Sequence, residues 1–198
     1  MDKLLIALVA VLLLLFPARV EALGKPVPPL DEFIAEVMNG EGDELRGIYA
    51  PGVFAYSVVP QPVGDDVYVS TREDAVTQFG LAYRYDSTGL LAHNFLAGKR
   101  FHLLKTGQVL YLIYGDGRTE PFVVSRLLRF QALVPDSVTG HFVDLESGQQ
   151  LSTPQLFFMM YDKGNLVLQT CIWKDGDNAW GRLFIIAEPV PPLRAGMI

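Results

Sequence analysis

A thiol, an imidazole and a guanidinium are the groups in this chain with types and spacing suited to covalent chemistry. Cys171 is the only cysteine among 198 residues and ends the apolar run Asn165-Leu-Val-Leu-Gln-Thr-Cys171. Arg182 follows eleven residues later at the head of a second apolar run, Arg182-Leu-Phe-Ile-Ile-Ala187. Three histidines, His93, His102 and His141, are available as partners. A thiol nucleophile needs a base or cation that favours the thiolate, a flank that excludes water, and a donor for the oxyanion formed on attack. The competing reading is a buried core thiol, since free cysteine is among the most buried residue types. His93 ends a buried-type strand beside the turn-forming Asn94. Strand ends collect at barrel rims, so His93, Cys171 and Arg182 could meet at one rim, but composition alone leaves both readings open.

The elements that must position these groups are mostly strands. Gly24-Lys-Pro-Val-Pro-Pro29 is a stiff linker that suits neither a helix nor a central strand. Asp31 is placed to cap a short helix over 32–38, which Asn39-Gly40 ends. Residues 54–59 and 67–70 read as short strands, and Thr71-Arg-Glu-Asp74 opens a helix to about Tyr83. Residues 89–92 read as a buried strand. His102 falls on a helical turn and His141 in a loop, and both are expected to be structural or solvent-exposed. The β-rich runs 109–114 and 121–125, joined through Gly115-Asp-Gly117, form a hairpin. Residues 133–150 have mixed polarity. Ser152-Thr-Pro154 starts a helix, with Pro154 at its first position, that ends near Gly164. Strands over 166–173 and 183–187 follow, joined by the polar turn 174–178. Asp175 and Asp177 lack the ligand spacing and bidentate glutamate of a calcium loop. Trp173 and Trp180 flank this turn and suit either groove lining or packing. The sum is a mainly β domain, a closed barrel with short helices in its connections.

The N-terminus reads as an export signal. One basic residue, Lys3, precedes the unbroken apolar residues 4–16 and then Pro17. Val20-Glu-Ala22 offers a cleavage site after Ala22. An uncleaved anchor is the alternative, but a membrane span takes about 20 apolar residues. Residues 1–22 are therefore read as a signal peptide, 23–30 as the linker and 31–198 as the folded domain, placed outside the cytoplasm. About 175 residues suffice for one domain with its own core. A net charge of −6 without a basic block gives no footprint for nucleic acid.

Three segments resemble the sortase family of cysteine transpeptidases. Gly89-Leu-Leu-Ala-His93-Asn94, with Gly98 and Phe101-His-Leu-Leu-Lys-Thr-Gly107 after it, is similar to the segment around the sortase histidine. Val167-Leu-Gln-Thr-Cys171 resembles the sortase T-L-x-T-C strand, with Val167 for the first threonine. Trp180-Gly-Arg-Leu-Phe-Ile-Ile-Ala187 resembles the following strand, which opens on the sortase arginine. Ala92 stands where many sortases have glycine, and Ile172-Trp173 where many have proline nearby.

The resemblance implies a closed sortase-like β-barrel. It implies that Cys171 attacks a carbonyl in a C-terminal sorting motif of a secreted protein, that His93 acts as general acid and base, and that Arg182 supports the oxyanion or substrate carbonyl. It further implies that Thr170 supports the strand end and contacts substrate. An amine of the cell envelope, an amine of another protein, or water resolves the thioacyl intermediate. No metal or organic cofactor is implied. Residues 136–163 correspond to the connection that shapes substrate choice in the family. Two alternatives stay open: a non-catalytic exported β-barrel used for binding, and an L,D-transpeptidase-like cell-wall enzyme, whose Ser-x-Gly-Cys-x-Arg pattern the chain lacks.

Overall fold

Period-two burial and β-branched content draw ten segments of the described residues into strands. The computed structural model describes residues 26–191 except positions 138 and 163. The expected signal peptide, 1–22, and the start of the linker lie outside the described residues. A helix α1 (Leu30–Val37) precedes β1 (Leu45–Ala50), β2 (Phe54–Pro60) and β3 (Ala75–Gln78). A one-turn helix α2 (Gly80–Tyr83), β4 (Thr88–Leu91) and a 3-10 helix (Ala97–Leu103) follow. The chain then forms β5 (Val109–Tyr114), β6 (Thr119–Ala132), β7 (His141–Asp144) and β8 (Gln150–Ser152). Helix α3 (Thr153–Met160), β9 (Leu166–Lys174) and β10 (Asp177–Pro189) complete it.

Pairing runs β10-β9-β4-β3-β2-β1-β5-β6 and returns from β6 to β10, so eight strands close into the expected barrel. β7 and β8 extend β6 outside the ring. The pairs β2–β3 and β4–β9 are parallel, and the other pairs are antiparallel.

The two faces of the barrel wall carry different cores. Ile48, Leu90, Leu110, Leu112, Leu168 and Ile185 fill the interior and are fully buried, each contributing about 1.5–3 kcal/mol relative to exposure. On the outer face Phe130, Val167, Phe184 and Ile186 pack with Leu156 and Met160 of α3. The capping box of α3, Ser152 with Gln155, and the proline in its first turn realise the expected helix start.

Several local expectations are corrected. No helix fills 71–83. Residues 75–78 pair as β3 with β2 and β4, burying Val76 and Thr77, and only Gly80–Tyr83 turns helical. Tertiary pairing outweighs the local signal there. Residues 67–70 form no strand. Asp31 lies in the first turn of α1, whose cap is Pro29 without a side-chain bond. β1 escaped the sequence reading because Gly47 interrupts its apolar run; here a side chain would meet Phe33 and Val37 of α1. His141 sits on β7 rather than in a loop. β6 and β10 run well beyond the apolar cores that announced them.

The ends of β4 and β9 are locked together. The Thr170 hydroxyl donates to the Ala92 carbonyl at 2.8 Å, and the Ala92 N–H donates to the Gln169 carbonyl at 3.1 Å. Gly98 lies against this clasp, its N–H donating to the His93 carbonyl at 3.0 Å. A Cβ on Gly98 would overlap Thr170 Oγ1 and the His93 carbonyl. The substitution Gly98→Ala is therefore expected to destabilise the fold by about 2 kcal/mol through overpacking. A lower urea midpoint with an unchanged m-value checks this.

Candidate active site

Strand register decides which side chains share a row. In the antiparallel pair β9–β10, Cys171 is the direct partner of Arg182, Gln169 of Phe184, and Val167 of Ile186. Directly opposed residues point to the same face, with Cβ atoms about 4.5–5.5 Å apart. In the parallel pair β4–β9, Gly89 is level with Val167 and Leu91 with Gln169. The bond from Ala92 N–H to the Gln169 carbonyl carries this pairing past the end of β4. β4 has ended there, and His93 follows it in the turn that leads into the 3-10 helix. Two full rows thus cross the outer face, Gly89, Val167, Ile186 and then Leu91, Gln169, Phe184, and a third holds Cys171 and Arg182. The face is outer because Val167, Phe184 and Ile186 belong to the core beneath α3, whereas Leu166 and Leu168 fill the interior.

Cys171, His93 and Arg182 are each held differently. Cys171 is half-buried and free. Burial pushes its thiol above the usual range, the Arg182 guanidinium pulls it down, and the Asp177 carboxylate pushes it up. His93 is half-buried, with its ring stacked on Phe95 at 5.2 Å between centroids. Its carbonyl accepts from the N–H groups of Leu96 and Gly98, turning the chain into the 3-10 helix. Asn94 Nδ2 donates to the Asn178 carbonyl at 3.0 Å, which ties the histidine segment to the start of β10.

Arg182 is braced by main chain rather than by acid. Nη1 donates to the Ala179 carbonyl at 2.7 Å and the Gly181 carbonyl at 2.9 Å, and Nη2 to the Pro135 carbonyl at 3.0 Å. Among the described residues it forms no salt bridge, Asp175 and Asp177 included. Five N–H donors with three engaged leave Nε–H and one Nη2–H for another acceptor.

Thr170 faces the other way. It is 2% exposed, and its hydroxyl is committed to Ala92. It supports the strand end and presents no surface for a substrate contact. His102, read as structural from sequence, lies on the 3-10 helix. Burial, and then the Arg129 guanidinium, hold its pKa below the usual range, while the Cys171 backbone favours its charged form. His141 lies on β7, with β6 and β10 between it and β9.

A groove of about 510 Å³ opens along the second row and reaches Arg182. Leu91, Gln169 and Phe184 form its floor, and Phe79 and Leu156 stand in its walls. Tyr161 also borders it and donates its hydroxyl to Gln169 Oε1 at 3.1 Å. Residues of 136–163 supply much of one wall, and of the Phe157-Phe-Met-Met160 cluster only Phe157 lines it. Trp173 is exposed, and Trp180 lies under the Lys174 ammonium at 4.5 Å; neither lines the groove. The walls, unlike the last row, carried no signal in sequence, because they come from separate connections with no shared motif.

No family model matches the chain, and no curated protein matches it. Solved structures do. Sortase C-1 from Actinomyces oris aligns with 86% of this chain and 86% of its own at 15% identity and a TM-score of 0.50. Sortase C from Clostridium perfringens SM101 aligns over 82% and 88% at 18% identity and a TM-score of 0.47. Sortase A from Listeria monocytogenes aligns over 74% and 87% at 12% identity and a TM-score of 0.47. The closed eight-stranded barrel with short connecting helices is a sortase-like fold.

Proposed function

We propose that the protein is a sortase-type cysteine transpeptidase acting outside the cytoplasm on secreted proteins that carry a C-terminal sorting motif. The observation that supports the reading is Cys171 paired with Arg182, which lines the end of an apolar groove, with His93 following β4, the other neighbour of β9. In this reading the Cys171 thiol passes its proton to His93 as the sulfur attacks a peptide carbonyl carbon, forming a C–S bond. Nε–H and the remaining Nη2–H of Arg182 receive the charge that develops on the carbonyl oxygen. Fixed donors are worth most in a partly dry site. The C–N bond then breaks, and His93 gives the departing amine its proton. An amine from the cell envelope or another protein, or water, loses a proton to His93 and attacks the thioester, releasing the thiol. Bracing by three carbonyls keeps Arg182 in place before substrate arrives, so little reorganisation accompanies the attack.

One observation favours the second reading, a barrel that binds without catalysing. The Cys171 thiol lies above its usual range, so neutral thiol predominates near pH 7, and activation depends on proton transfer during attack. Its alkylation rate then climbs about tenfold per pH unit through the neutral and alkaline range. Asp177→Asn removes an anion that holds the pKa up, so labelling at fixed pH rises, roughly twofold. Stopped-flow labelling against pH checks both; a thiol inert until unfolding would favour the binding domain.

With a motif peptide, the full chain is expected to accumulate a thioester that Cys171→Ala lacks, read by intact-mass spectrometry. Acyl-enzyme persisting in that variant would sink the assignment. Arg182→Lys keeps the charge but loses the planar fork and its brace. A fall in kcat/KM of about a hundredfold is expected, and an unchanged value would make Arg182 structural only.

A further inference from the structure

The floor of the groove holds one polar side chain between two apolar ones: Gln169, between Leu91 and Phe184. Its amide is oriented from behind. Tyr161 is 4% exposed, and its ring is fixed against Phe79 at 5.5 Å and Phe157 at 4.8 Å between centroids. A buried phenol needs an acceptor, and Tyr161 takes Gln169 Oε1 at 3.1 Å. Burial raises the Tyr161 pKa, so the hydroxyl stays a donor across the working range. With the oxygen engaged, the Gln169 Nε2 group retains its two N–H donors. No buried side-chain polar atom lacks a partner among the described residues, so Nε2 reaches solvent-accessible space, on the groove side that Gln169 lines.

Gln169 lies two residues from Cys171 on the same face, about 6.6 Å along the strand. An extended peptide whose carbonyl meets Cys171 therefore passes Gln169 about two residues away. If an apolar side chain covers Nε2 there, the donor loses water and gains nothing. An oxygen acceptor avoids that cost.

We propose that Gln169, oriented by Tyr161, is a specificity-determining residue. It selects peptides bearing a hydroxyl, amide or carboxylate side chain about two residues from the attacked carbonyl. The assignment deepens the transpeptidase reading and rests on it for the identity of the ligand as a peptide.

The test separates the two. Full-length chain carrying Cys171→Ala is titrated with peptides that differ at single positions by the isosteric pair Val and Thr, and by Leu and Asn. The acceptor-bearing member is expected to bind about tenfold tighter at one position. Adding Gln169→Leu or Gln169→Met should abolish that preference, and Tyr161→Phe should weaken it by releasing the amide. Thermal melts of each variant establish that the chain is folded. Equal preference in the Gln169 variants and their parent overturns the proposal, as does the absence of any preference in the parent. Acyl-enzyme formation is read separately on the chain that retains Cys171. A binding preference without acylation overturns the enzyme and leaves Gln169 its role. Acylation without preference overturns Gln169 alone, and no peptide binding overturns both.

Discussion

Two hydrogen bonds between the ends of β4 and β9 set the geometry on which the rest of the site depends. The Thr170 hydroxyl binds the Ala92 carbonyl, and the Ala92 N–H binds the Gln169 carbonyl. They extend a parallel ladder one step past the last residue of β4. A one-residue slip would send every β9 side chain to the opposite face, turning Cys171 into the interior and Thr170 outward. Gly98 adds to this constraint by leaving no space into which the clasp can relax.

Electrostatics in the last row are a contest between burial and one cation. Burial is the largest influence on the Cys171 thiol and opposes its charge, and Arg182 only partly offsets it. Binding the guanidinium to carbonyls rather than to a carboxylate leaves its positive charge unneutralised. A carboxylate partner would have cancelled much of the field that the thiol experiences. The same braces couple the segment after β6 to the start of β10, so the groove wall at Pro135 and the cation move together.

How much of this was legible in the sequence differs by element. β4, β5 and β9 were readable because each is a short apolar run bounded by turn residues, and Gly115-Asp-Gly117 fixed one hairpin. Of the groups that strand ends and motif resemblance single out, register sets Cys171 opposite Arg182, while His93 lies past the last paired residue of β4. β3 was read as helix because Thr71-Arg-Glu-Asp74 imitates a helix start; its identity comes from pairing with β2 and β4, which no local window contains. β1 was hidden by Gly47, whose missing side chain serves contact with α1. Thr170 was assigned a substrate contact that its inward direction denies. Gln169 was only the variable letter of a motif, because the partner that orients it, Tyr161, arrives from a separate connection. Side-chain alternation predicts which face a residue takes, but not what another segment places against it.

Ring closure also has a consequence for how the molecule is made. β9 pairs with β4, formed from residues some eighty positions earlier, and β10 pairs with β6. Until both C-terminal strands have been synthesised, the incomplete sheet has two unsatisfied edges and no enclosed interior. Such distant pairings are slow to find, and open edges invite pairing with other chains. The last two strands are therefore the ones whose arrival seals the sheet. Since the same two strands carry Cys171 and Arg182, a nascent chain has no way to present an assembled thiol site before its barrel is whole.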